Sequence, residues 1–267
     1  MDDIPKYLQW KDIKLPLYYK ISLTVVAILL VLVGIQSYRG TRHALRQLNS
    51  SYAPQDSILW FANQDDSVFQ LMKKRAYLKA RLRQAESDSI GLSIDLLDST
   101  VGLRLKGVEL HGSKMIGYSH SRLFDKMDHA SLVNMLSGTL EISTDTSNTH
   151  KEPIKTVKAP KNEEEAAKML VEHLPDTIDE FVAIRLLLDE NLLVTIEQWP
   201  DSVPSSAQAY HDFISADKRQ KSVTLWKDLL SLRRPAYQAW IRIYLPPQEA
   251  KSIYRALPKK GNVILKI

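Results

Sequence analysis

Seven histidines and no cysteine limit what this 267-residue chain can do as a catalyst. Without a thiol there is no cysteine nucleophile, no thiolate zinc site and no disulfide. His111, His120 and His129 recur at even intervals with Asp125 and Asp128 between them, and these are residue types that hold metal ions. Their spacing does not return to one helix face, which needs i, i+4 or similar, so no metal centre is expected. Ser119-His120 sets a nucleophile type beside a base type. Adjacent side chains diverge on a strand, however, and no acid can be assigned to orient the imidazole. His211-Asp212 reads as surface. There is no P-loop, G-x-G-x-x-G or H-E-x-x-H stretch, and no cofactor is implied.

The elements around these residues begin with an apolar run, residues 21–38 (ISLTVVAILLVLVGIQSY), without a charge between Lys20 and Arg39. At about 1.5 Å per residue it makes a helix of about 27 Å, close to the hydrocarbon thickness of a bilayer. Tyr18, Tyr19 and Tyr38 are placed for the headgroup belts, and Lys20 can snorkel outward. A cleaved signal peptide would need a small-residue cleavage site, whereas Gly34-Ile35-Gln36-Ser37-Tyr38-Arg39 follows the run. A buried core helix of this length would ordinarily keep a polar face. Lys6, Lys11, Lys14 and Lys20 precede the run and Arg39, Arg42 and Arg46 follow it, which slightly favours a cytoplasmic N-terminus. The expectation is a single-pass membrane protein with its C-terminal domain exported. The net charge of +5 comes from interleaved acids and bases and implies no nucleic-acid partner.

Beyond the run, residues 39–56 read as a brief helical extension and linker ending near Pro54. Residues 57–88 read as a helical stalk. Phe61, Val68, Leu71, Leu78 and Leu82 fall near one seam, with Lys73, Lys74, Arg75, Lys79, Arg81 and Arg83 on the polar side. That helix pairs with another copy or with other envelope proteins, forms a basic strip near an anionic surface, or lies on its own domain with a solvated basic face.

From residue 90 the texture becomes that of strands: alternation at 92–96 and 101–105, a Lys106-Gly107 turn, then 108–110. Residues 123–136 look helical or irregular, and 143–161 read as a long polar loop. A capped helix starts at Asn162, and two strands follow at 181–187 and 191–198. Residues 223–232 are ambiguous between strand and helix. The end reads as strand 240–245, helix 247–257 and strand 262–267. The fold class expected is α+β: a tail (1–19), a transmembrane helix (20–38), the linker and stalk, and a mixed, mainly β domain (90–267). The aromatic set Trp199, Tyr210, Phe213, Trp226, Tyr237 and Trp240 could line a groove, with buried core as the default.

Two stretches resemble the YkuD-type L,D-transpeptidase domain. The last runs Ala239-Trp240-Ile241-Arg242-Ile243-Tyr244-Leu245-Pro246-Pro247-Gln248-Glu249-Ala250 and continues through Leu257-Pro258 to Gly261-Asn262-Val263-Ile264. It is similar to the family's close: a nucleophile motif S/T-H-G-C-x-R, a helix with D/E-A and L-Y, then V-P-x-G-T-x-V. Residues 92–119 are similar to its opening hairpin. The resemblance implies an L,D-transpeptidase fold, a place in the bacterial inner membrane with the domain outside, and peptidoglycan stem peptides as ligand. It also implies lost chemistry. Trp240 stands where the family has its cysteine, and Tyr237, Gln238 and Ala239 occupy the Ser-His-Gly positions. An indole can neither attack a carbonyl nor be activated by a base. Arg242 alone remains of the motif, to brace the site's walls or to bind a peptide carboxylate. The family's upstream His-Gly pair corresponds to the strand ending Ile196-Glu197-Gln198. The resemblance thus points to Arg242, Trp240 and Glu197 as ligand-facing and to no catalytic residue. Two other readings stay open: a bitopic subunit of a larger envelope assembly, and an active transferase or hydrolase with another nucleophile.

Overall fold

The computed structural model describes residues 16–54, 65–149, 151, 181–189, 191–199, 203, 207–231, 233 and 235–267. The helix expected at 162 and the tail before Pro16 lie outside the described residues, as does the first part of the expected stalk.

The apolar run and the first part of the expected linker form one helix, α1 (Leu17–Ser51). It is long and apolar enough to cross a membrane, and none of its most apolar stretch is buried. The hydroxyls of Ser22 and Thr24 bond back to the carbonyls of Tyr19 and Lys20, at 3.0 and 2.8 Å, so that neither of these two donors is left free. The second half of α1 is different in kind. Gly40, Ala44 and Leu48, four residues apart, are buried against the domain, so the segment read as a linker is docked helix to Ser51. Its C-terminal carbonyls are met by side chains of α3 (His129–Leu136): Ser131 Oγ donates to Asn49 O and Asn134 Nδ2 to Tyr52 O.

α2 (Asp66–Ala85) starts where Asp65 accepts the Ser67 amide at 2.7 Å. Its buried stripe is Ala76, Ala80 and Gln84; the two alanines let it lie close to the sheet, and Gln84 Nε2 donates to Leu92 O and Asn262 Oδ1. The helix therefore packs on its own domain, while Leu71, Leu78 and Leu82 face outward.

Among the described residues the sheet has nine strands: β1 (Gly91–Asp95), β2 (Thr100–Leu105), β3 (Val108–Lys114), β4 (Gly117–His120), β5 (Leu140–Ser147), β6 (Ala183–Leu188), β7 (Leu192–Gln198), β8 (Ala239–Leu245) and β9 (Asn262–Lys266). Their order is β3-β2-β1-β9-β5-β6-β7-β8-β4, with β1–β9 and β7–β8 parallel and the other pairs antiparallel. The last strand thus enters the middle of the sheet beside the first. α5 (Pro247–Ala256) carries Ala250, Ile253 and Tyr254 into the core, which is built from residues such as Leu92, Ile94, Ile184, Val194, Ile241, Ile243, Val263 and Leu265.

Two segments differ from the sequence reading. Residues 143–147 belong to β5, not to a loop; a register shift between Ile142 and Thr144 lets this polar strand pair β6 although only every other side chain near its start is buried. Residues 223–230 belong to a long helix, α4 (Gln208–Leu230). Its apolar side chains are scattered around the axis because most of the helix is exposed, so it offers no single apolar stripe to read.

Candidate functional site

Alternation along β8 sends Ile241 and Ile243 into the core and Trp240, Arg242 and Tyr244 to the opposite face. β7 runs parallel to it with Leu193 opposite Trp240, Thr195 opposite Arg242 and Glu197 opposite Tyr244. The three residues singled out from the sequence, Trp240, Arg242 and Glu197, therefore share one face. Arg242 Nε lies 3.7 Å from Glu197 Oε1, and its guanidinium sits 5.8 Å from the Trp240 ring centroid, within cation–π range.

α4 crosses this face. Arg185, opposite Thr195 on β6, reaches Asp217 of α4 at 3.3 Å, donates to Phe213 O at 3.4 Å and lies over the Phe213 ring. Two arginines thus flank the Glu197 carboxyl, whose side chain is only 8% exposed. Burial still pushes that carboxyl above the ordinary carboxylate range, with Arg242 and Arg185 pulling the other way. Burial, with help from the Glu197 charge, pushes the Tyr210 phenol up to about 12.

Between α4, the two parallel strands and residues 235–238 runs a groove of about 600 Å³. Thr195, Tyr237, Trp240 and Arg242 line one side, and Asp217, Leu225 and Asp228 of α4 the other. It presents an aromatic wall, a guanidinium and carboxylates within one volume, which suits a ligand carrying both a carboxylate and an amine. None of the lining residues is a histidine, so no imidazole stands beside a hydroxyl there.

The groove is tied to the apolar helix. Tyr237 and Ser37 hydroxyls are 2.8 Å apart, and a side chain at Gly40 would put its first carbon 2.8 Å from Pro235 O. Only glycine permits that approach.

The histidines are scattered. His111 Nε2 is 2.5 Å from Glu249 Oε2, His120 lies beside Tyr118 and Phe124, and His129 stacks on Phe69 at 3.9 Å. Among the described residues no group of three potential metal ligands is assembled. Ser119 is paired with Arg242 in the β4–β8 register, and no histidine lines the groove beside it.

Sequence reasoning missed Arg185 and Asp217; Tyr237 was named in the aromatic set, and it lines the groove. The first had a signal: Arg185 and Glu197 are isolated charges in neighbouring apolar strands, and such charges need partners. Asp217 had none, because the helix carrying it was unread.

Fold and site together define an α+β protein in which one apolar N-terminal helix is bolted to a domain with a charged, aromatic groove at its foot. No family model, no characterised protein sequence and no solved structure matches the chain.

Proposed function

We propose that this chain is a single-pass protein of the bacterial inner membrane whose exported domain, related in fold to the L,D-transpeptidases, binds peptidoglycan stem peptides without cleaving or joining them. The observation that carries this reading is that Trp240 and Arg242 line the groove together, with Glu197 on the same sheet face beside the guanidinium but outside the groove lining. Arg242 receives a peptide carboxylate, Trp240 covers the apolar part of the backbone, and Asp217 or Asp228 takes the amine of a diamino acid. Glu197 holds the guanidinium in place from behind. Trp240, where the related enzymes carry their thiol, converts the position from attack to contact.

The test is retention on purified sacculi of the full chain in detergent. Retention that falls several-fold in Arg242→Ala and in Trp240→Ala, with unfolding temperature unchanged, supports the proposal. Absence of retention, or retention indifferent to both changes, overturns it.

A second reading is favoured by one feature. Leu71, Leu78 and Leu82 are 56–68% exposed along α2, beside a cleft of about 410 Å³ lined by Arg75, Lys79 and Arg83. An assembly subunit would use that stripe to hold a partner. Copurification of a defined complex, lost on Leu78→Glu, supports that role over wall binding.

A further inference from the structure

We propose that the C-terminal end of α4 sits in the headgroup layer of the bilayer beside α1, so that the groove opens at the membrane surface. This rests on the reading of α1 as a membrane span. Four observations carry it. The groove wall at Pro235 and Tyr237 touches α1 at Gly40 and Ser37, the turn where the charge-free run ends. Leu225 and Asp228 line the same groove as Pro235 and Tyr237, which puts that turn of α4 at the same end of the domain. On this turn Val223 and Trp226, three residues apart and so neighbours on one helix face, are both 60% exposed. Exposed Lys227 and Arg233 flank them, as exposed Arg39 and Arg42 flank Tyr38 on α1.

Tryptophan and tyrosine with adjacent cations are the side chains that settle at a membrane interface, the ring at headgroup depth and the cation on phosphate. The occupant of this patch is accordingly an anionic phospholipid surface. One consequence concerns the ligand. A groove held at the lipid surface meets stem peptides still attached near the membrane before it meets the distal wall.

The absence of cysteine in the chain allows a direct test. Single-cysteine full-length variants Ile28→Cys, Trp226→Cys, Val223→Cys and Leu97→Cys are spin-labelled and reconstituted into phosphatidylcholine–phosphatidylglycerol vesicles. The oxygen-to-nickel-chelate accessibility ratio is then measured at each. The expected result is a ratio shifted toward the membrane value at 28, 226 and 223 and a water value at 97, on the β1–β2 turn. Water values at 226 and 223 with a membrane value at 28 overturn the inference and leave the span intact. A water value at 28 overturns the span itself. Shielding of 226 and 223 from both reagents also overturns the inference, because it identifies a protein as the occupant.

Discussion

The hydroxyls of Ser37 and Tyr237 meet at 2.8 Å, joining the apolar helix to the segment that enters β8. Three residues further along α1, Gly40 lies so close to Pro235 that no side chain fits between them. The apolar helix and one wall of the groove are therefore one packed unit.

Gly40→Leu should break that unit. A larger side chain must push Pro235 and the Tyr237 ring outward, and amide exchange over residues 236–240 should quicken while exchange in β1 and β9 stays slow. Unchanged exchange near β8 in lipid or detergent would show that α1 does not brace the groove. Tyr237→Phe, which removes only the hydroxyl, should cost about 1 kcal/mol and leave the packing in place.

Gly91→Ala tests the clamp between α2 and the sheet. Its new carbon would lie 1.9 Å from Asn262 Oδ1 and 2.3 Å from Gln84 Nε2, the two atoms whose hydrogen bond ties α2 to β9. Overpacking here should destabilise the fold by about 1–3 kcal/mol in denaturant unfolding. A loss below about 0.5 kcal/mol, the range of ordinary surface changes, would mean the clamp is loose.

Glu197→Gln tests the buried charge through pH. Burial raises the carboxyl above its value in the unfolded chain, so the stability this group contributes is present at acid pH and is lost as pH rises through the folded value. The amide does not titrate. The variant should gain in unfolding temperature relative to the parent between about pH 5 and 8, and lose that gain toward pH 4 and below. Arg242, with its side chain 38% exposed, can be hydrated when its partner becomes neutral. An advantage that instead grows as pH falls would show that the two arginines, not burial, dominate the Glu197 environment.

The two faces of α2 should respond in opposite ways. Ala80 is fully buried and Leu82 is 68% exposed. Ala80→Leu should cost about 1–3 kcal/mol by overpacking against the domain, whereas Leu82→Ser should stay within about 0.5 kcal/mol. If Leu82→Ser destabilises as strongly as Ala80→Leu, the exposed stripe is covered in the native protein.

Much of the fold was legible because the relevant physics is local. The charge-free run gave α1, alternation gave β1, β2, β6 and β7, and proline at the head of 247–256 gave α5. β5 was hidden because its outward residues are polar, so it reads as a loop until β6 is placed beside it. α4 was hidden because it buries little and so shows no apolar stripe. The docked half of α1 was hidden because glycine and alanine every fourth residue signal closeness to something without naming it.

By itself the chain's order of residues determined an apolar rod, the absence of thiol chemistry and strands such as β1, β2, β6 and β7, since these follow from composition and from neighbours a few positions apart. Only the tertiary structure decided that β7 and β8 run side by side, that Glu197 lies behind Arg242, and that α4 and Tyr237 close a groove at the foot of α1. The reason is physical. Strand partners are chosen by contacts between residues far apart in the chain, and the free energy of those contacts depends on both partners at once.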